Sequence, residues 1–198
     1  MNNVSETWKY SNVFEKQLTF NLKELDGAYP PHWKDFIFLL KTNNPKSMLD
    51  VGCGCGAIYE LCRRELPGLK YYGLDYSENA ITLAKKNWDE SCFSVKDCVS
   101  LSKDDIYEYD LVHLGALLDV LPNGDEVLEH ILSISPNNIL IARMKLTDKE
   151  SYYNTYEAYD EITTCAYYHN KTNFFRLCEE YGYYVSNMNN NFYLTKRI

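Results

Sequence analysis

Two hydrophobic periods alternate through the middle of the chain. Ser47-Met-Leu-Asp-Val-Gly52 is a short apolar run ending in glycine, the pattern of a buried strand entering a turn. Ile58, Leu61, Cys62 and Leu66 then follow at helical spacing, and Pro67-Gly68 ends that helix. Lys70-Tyr-Tyr-Gly-Leu-Asp75 predicts a second strand, and Ser77 caps a helix with Ala80, Ile81, Ala84 and Trp88 on its inner face. A weak third strand spans Cys92–Val95, a fourth Tyr109–Leu114 and a fifth Asn138–Arg143. Between the last two, Val127, Leu128, Ile131 and Leu132 line one side of a helix. Strands and helices in this alternation imply an α/β fold, a mostly parallel sheet between two helical layers, because right-handed crossovers put helices on both faces.

The two ends break the rhythm. Residues 1–45 predict a helical cap, with a helix from Pro30-Pro31 burying Trp33, Phe36, Ile37 and Leu40. Residues 46–145 carry the alternating core. Residues 146–170 are polar and tyrosine-rich with no clear period, so a long excursion from the sheet is expected. In 171–198, Phe174, Leu177, Cys178 and Tyr181 predict a final helix. Gly182 ends it, and Tyr183–Val185 with Phe192–Leu194 predict a hairpin around an asparagine-rich turn. The 198 residues suit one domain.

Net charge narrows the partners. Twenty basic against 28 acidic side chains leave −8, which disfavours nucleic acid, whose affinity comes mainly from Lys and Arg contacts to phosphate. No apolar run is long enough for a membrane span, and the first residues lack the layout of a secretory signal. Seven cysteines without Cys-x-x-Cys spacing read as reduced core thiols, and a cytoplasmic setting is expected. Oligomeric state is not legible.

Candidate chemistry concentrates at Asp50-Val-Gly52-Cys53-Gly54-Cys55-Gly56, a strand followed at once by three alternate glycines and a helix. Such glycines admit a ligand to the backbone at the carboxyl end of the first strand, where doubly wound sheets bind nucleotides. Asp75 closes the next strand, where an acid accepts hydrogen bonds from ribose hydroxyls. The spacing is not Gly-x-Gly-x-x-Gly, and no Lys-Ser/Thr follows for a triphosphate.

With Gly73-Leu-Asp75-Tyr76-Ser77, then Asp97 and Asp110-Leu-Val112, these motifs resemble the class I S-adenosylmethionine-dependent methyltransferases over residues 46–143. The resemblance implies a three-layer sandwich with a seven-stranded sheet, order 3-2-1-4-5-7-6, its last hairpin strand antiparallel. It implies S-adenosyl-L-methionine as cofactor and S-adenosyl-L-homocysteine as product. It assigns Gly52, Cys53, Gly54 and Gly56 to the methionine portion, with Asp50 supporting the turn. Asp75 would grip the ribose, Tyr76 would pack beside the adenine, and Asp97 with Cys98 would read its amino group. Leu114 and Gly115 would border the methionyl amine. Trp8, with Phe14 and Gln17, would close the pocket as part of a lid made of residues 1–20 and 146–170.

The acceptor side is less legible. An oxygen acceptor needs a base or a metal that lowers its pKa. Leu118-Asp119-Val120-Leu121-Pro122 keeps the acid of a Leu-Glu-His-Leu-Pro pattern and loses its histidine. Base candidates are Asp119 and His169, ranked as near equals, and His113, which reads better as a satisfied core histidine within its apolar strand. Asp119 could instead hold a divalent ion, for which no further oxygen ligands are identified. Arg143, Tyr153, Tyr156 and Tyr159 are the expected acceptor wall, their aromatic faces and charge suited to a hydroxyl-rich ligand. A narrower resemblance, resting on 143–170, is to sugar and glycan O-methyltransferases such as those of large algal viruses. It implies transfer to a sugar hydroxyl. Another small molecule, a protein acceptor, or a cofactor-binding module without catalysis remain alternatives.

Overall fold

Strand β1 (Ser47–Val51) lies at the centre of the sheet, buried on both faces, and this burial explains its nearly continuous apolar run. The computed structural model describes residues 7–8, 11–159 and 162–197. β1 pairs in parallel with β2 (Lys70–Asp75) on one side and β4 (Leu111–Gly115) on the other. β3 (Phe93–Val95) and β5 (Asn138–Ala142) extend the parallel set, and the hairpin β9 (Tyr183–Met188) and β10 (Asn191–Lys196) completes it. The order β3-β2-β1-β4-β5-β10-β9 is the expected one, with β10 antiparallel to both neighbours.

Helices cover both faces. On one side α6 (Gly124–Ile134) and α7 (Lys171–Glu180) pack Leu128, Ile131, Leu132, Phe174 and Leu177 against Val112, Leu114, Ile139 and Ile141. On the other, α2 (Pro31–Asn43) and α3 (Ala57–Glu65) bring Trp33, Phe36, Leu40 and Leu61 onto Met48, Leu111, Leu140 and Tyr193. α4 (Glu78–Asn87) starts at Ser77, whose Oγ accepts the Ala80 amide as a helix cap. α1 (Ser11–Asp26) and the short α5 (Lys103–Ile106) complete the helices. All seven cysteines are free, and burial pushes the thiols of Cys55 and Cys98 up to about 11 and about 12. No helix among the described residues is long and apolar enough to cross a membrane.

The stretch 146–170 departs from expectation. Instead of an irregular excursion it forms a β-hairpin, β7 (Tyr152–Ala158) with β8 (Ile162–Asn170), joined by β6 (Leu146–Thr147). Two features hid the strand period. Along β8 the buried phase switches at Thr164-Cys165, and β7 is exposed at every position but its last. Tyrosines on both faces of β7 erase the apolar–polar contrast that marks a half-buried strand. The hairpin is tied down by Tyr167 N–H donating to the Asp119 carbonyl (2.9 Å) and His169 N–H to that of Lys145 (2.8 Å).

Candidate active site

The loop after β1 makes three left-handed turns of backbone, with φ of 78° at Gly52, 54° at Gly54 and 79° at Gly56. Only glycine takes these angles without strain, so the alternation read from the sequence is a conformational requirement. The Asp75 carboxylate, at the end of β2, fixes this loop from beside it. Its Oδ2 accepts the Gly54 amide and its Oδ1 the Ser77 amide, both at 2.9 Å. Each oxygen keeps a second lone pair for a ligand hydroxyl. Burial raises the Asp75 carboxyl to about 6, against the opposing pull of those two amides.

A cavity of about 690 Å³ opens over the loop. Gly52, Gly54, Asp75, Tyr76, Asp97, Cys98, Gly115 and Trp8 line it, so eight of the residues expected to hold a cofactor meet around one cavity. Arg143, Tyr156 and Tyr159 line the same cavity, with the Tyr159 ring edge-on to Trp8. Asp97 is exposed and caps the next turn by accepting the Val99 amide at 3.2 Å. Trp8 donates through Nε1 to Thr164 Oγ1 (3.0 Å), and Lys16 Nζ to the Tyr159 carbonyl (3.1 Å). Residues of the N-terminal segment and of the hairpin thus touch each other where both line the cavity. Residues 1–6, 9–10, 160 and 161 of that lid lie outside the described residues.

Other assignments fall elsewhere. Leu114 is wholly buried in the core under α6, and Gly56 lies against the Trp88 and Phe93 rings. Tyr153 points from the opposite face of β7 to Tyr156 and is exposed, outside the cavity walls. Asp119 is 3% exposed, and its Oδ2 is 3.9 Å from an Arg143 nitrogen while its Oδ1 has no hydrogen-bond partner. Burial raises its carboxyl, partly offset by Arg143 and Lys145. His169 is fully buried with Nδ1 held at 2.5 Å by Asp125, which also accepts the Ser151 hydroxyl. Neither Asp119 nor His169 is among the residues lining the cavity. Among the described residues no group of three His, Cys, Asp or Glu is placed to hold a metal ion.

A second cavity, about 490 Å³, adjoins the first across Gly52, Gly54, Gly115, Arg143 and Tyr159. Its walls come from α1 (Gln17, Asn21, Glu24), α2 (His32, Trp33, Phe36) and the buried pair Asp50 and His113. Gln17 was expected at the pocket, but Asn21 and Glu24 were missed in the sequence, although Phe14, Gln17, Asn21 and Glu24 recur at helical spacing. Burial raises the Glu24 carboxyl and lowers the His32 imidazole, and Arg143 acts on both.

A glycine-lined cavity lies at the carboxyl ends of β1, β2 and β4, with the acid that ends β2 beside it. Residues 49–140 match the family described as a methyltransferase domain. The trans-aconitate 2-methyltransferase of Variovorax paradoxus is 26% identical over 98 residues, covering 49% of this chain and 38% of that relative. Human N-acetylserotonin methyltransferase in complex with SAM superposes with a TM-score of 0.68 at 16% identity, over 100% of this chain and 60% of that one. The N-terminal domain of EvdMO1 in the presence of SAH and D-fucose gives 0.60 at 14% identity, over 86% and 85%. The chain therefore spans 38% of the first of these relatives and 60% of the second, less than two thirds of each, and the two structures share its fold.

Proposed function

We propose that this protein transfers a methyl group from S-adenosylmethionine to a hydroxyl of a small polar acceptor, a sugar or glycan being the best fit. The observation that carries the reading is the pair of adjoining cavities. The first has the glycine loop, Asp75 and Asp97 in place for a nucleoside and amino-acid tail. The second opens off it at Gly115 and mixes aromatic faces with Gln17, Asn21, Glu24 and Arg143. Aromatic rings stack on sugar C–H faces while amides, acid and guanidinium bond the hydroxyls. The sulfonium supplies an electrophilic methyl carbon, so the chain's task is alignment and proton removal. A carboxylate acceptor is the second reading, favoured by Arg143 at the junction, because a guanidinium fork matches a carboxylate.

A product-release assay with D-fucose and other deoxysugars, small phenols, tricarboxylates, peptides and RNA separates these readings. Release with a sugar is the expected result. Binding of cofactor without turnover on any acceptor would make the protein a binding module instead. Arg143→Ala is expected to raise the KM of the acceptor about tenfold or more through loss of charge-assisted bonds, with affinity for S-adenosylhomocysteine unchanged.

Cofactor affinity should also depend on pH. Only the ionised Asp75 carboxylate accepts two ribose hydroxyls, and its carboxyl sits at about 6. Affinity for S-adenosylhomocysteine is therefore expected to be full above that value. It falls by up to about tenfold per pH unit below it, as the carboxyl takes up a proton. Folding of the ligand-free protein has the opposite sign. A raised carboxyl favours the folded state most at low pH, and that contribution is lost as pH rises through about 6. Calorimetric titrations across this range should show the effect, and Asp75→Asn should flatten it.

A further inference from the structure

We propose that His113 is the proton acceptor of the transfer, with Asp50 as the residue that positions it. This rests on the methyl-transfer reading above and names the base that reading lacks. β1 and β4 are neighbours, and their register sets Asp50 beside His113 on the same face of the sheet. Both are about 1% exposed, in strands that are otherwise apolar apart from Ser47. A buried polar pair at the centre of a sheet carries a desolvation cost that an apolar pair would avoid.

The hydrogen bonds assign the tautomer. Asp50 Oδ2 accepts the Tyr71 hydroxyl at 2.6 Å, and Oδ1 lies 2.7 Å from His113 Nδ1. A carboxylate that accepts at both oxygens puts the imidazole proton on Nδ1 and leaves a lone pair on Nε2. That Nε2 has no partner. An unbonded buried acceptor costs about 1–3 kcal/mol. His169 Nε2 is unbonded too, but His169 lines neither cavity, so placement singles out His113.

Placement makes the lone pair useful. His113 and Asp50 both line the second cavity, and Gly115, two residues on, lines both cavities. A Cβ on Gly115 would fall 2.5 Å from His113 Cε1, so the imidazole lies directly beneath the junction. The Phe36 ring packs against it at a tilt, 4.9 Å away centre to centre. His113 Nε2 is itself buried, so an acceptor hydroxyl bound at the junction, with the methyl donor above the glycine loop, would reach its lone pair once the side chains over it give way. In the step itself the hydroxyl oxygen bonds to the methyl carbon and the carbon–sulfur bond breaks. Its electron pair stays on sulfur as the thioether, and the hydroxyl proton passes to Nε2. The imidazolium so formed is stabilised by the Asp50 carboxylate at Nδ1. His32, the other imidazole of this cavity, stands on the α2 wall with its ring against Trp33.

The test has two arms. Long-range nitrogen–proton NMR spectra of the protein saturated with S-adenosylhomocysteine report the tautomer without any acceptor. The expected result is a protonated Nδ1 and a bare Nε2 on His113; a protonated Nε2 overturns the proposal. In the second arm, sugar acceptors that release product from the wild type are assayed with His113→Asn and Asp50→Asn. Each should lower kcat at least 10²-fold, with KM and affinity for S-adenosylhomocysteine within about threefold, and added imidazole should restore part of the His113→Asn rate. Retained kcat, a loss of S-adenosylhomocysteine affinity in its place, or collapse in His32→Asn with His113→Asn spared overturns the assignment. If sugars and phenols fail and a carboxylate turns over, no base is required and the proposal falls with that result. If no acceptor turns over, the functional reading fails while the NMR arm still decides the tautomer.

Discussion

Asp75→Ala is expected to weaken S-adenosylhomocysteine binding about 10²-fold, roughly 3 kcal/mol, the largest loss of any single cofactor-site substitution here. Two effects combine. The variant removes the charged acceptor offered to the ribose hydroxyls, and each bond to a charged group is worth about 1.5–3 kcal/mol. It also releases the Gly54 and Ser77 amides, each held at 2.9 Å, so the glycine loop loses the clamp that shapes the cavity floor. The ligand-free variant should stay folded, because removing a carboxyl whose ionisation is disfavoured by burial takes away a cost at neutral pH. Calorimetry with a circular dichroism control decides the matter. Wild-type affinity in a folded variant would remove the ribose assignment.

How much of this was legible in the sequence follows from how local each signal was. The strand, glycine loop and helix at 47–65 lie within one short stretch, and their conformations follow from residue type. The sheet order was what the resemblance implied, and the terminal hairpin followed from two apolar runs. The turn of that hairpin is tighter than the asparagine run suggested. Asn187 and Asn191 pair within the strands, and Asn189 turns at φ 54°. The second cavity was not legible because it is assembled from α1, α2 and the ends of β4 and β5. Its polar stripe on α1 reads as an ordinary solvated face until those helices are placed. Asp119 and His169 were named for their positions near strand ends. The fold turns Asp119 against Arg143 and gives His169 to Asp125, contacts between segments far apart in sequence. His113 was placed correctly in an apolar strand. Its partner was within reach too, since the expected order sets the first and fourth strands side by side with Asp50 and His113 as their buried polar residues.

Gly56→Ala should lower stability by about 3 kcal/mol, although one methyl group is added on a loop. A left-handed backbone costs an L-residue about 1–2 kcal/mol, and Gly56 has φ of 79°. Its Cβ would also fall 2.7 Å from Trp88 Cδ1 and 2.9 Å from two Phe93 ring carbons. Overpacking of that kind costs about 1–3 kcal/mol, because buried rings must leave their rotamers or the backbone must shift. For a chain of this size the sum corresponds to a fall in Tm of about 10 °C. The strain should reach the cofactor as well. Trp88 donates through Nε1 to the Cys55 carbonyl at 2.8 Å, so a displaced indole pulls on the loop that lines the cavity. Gly68→Ala is the control, since a Cβ there meets nothing within 4 Å, and its Tm should stay within about 2 °C of the wild type. Thermal melts of the two variants, with and without S-adenosylhomocysteine, separate packing at Gly56 from a general intolerance of alanine in these turns. Equal melting temperatures for both would mean that the Trp88–Phe93 contact does not constrain the loop.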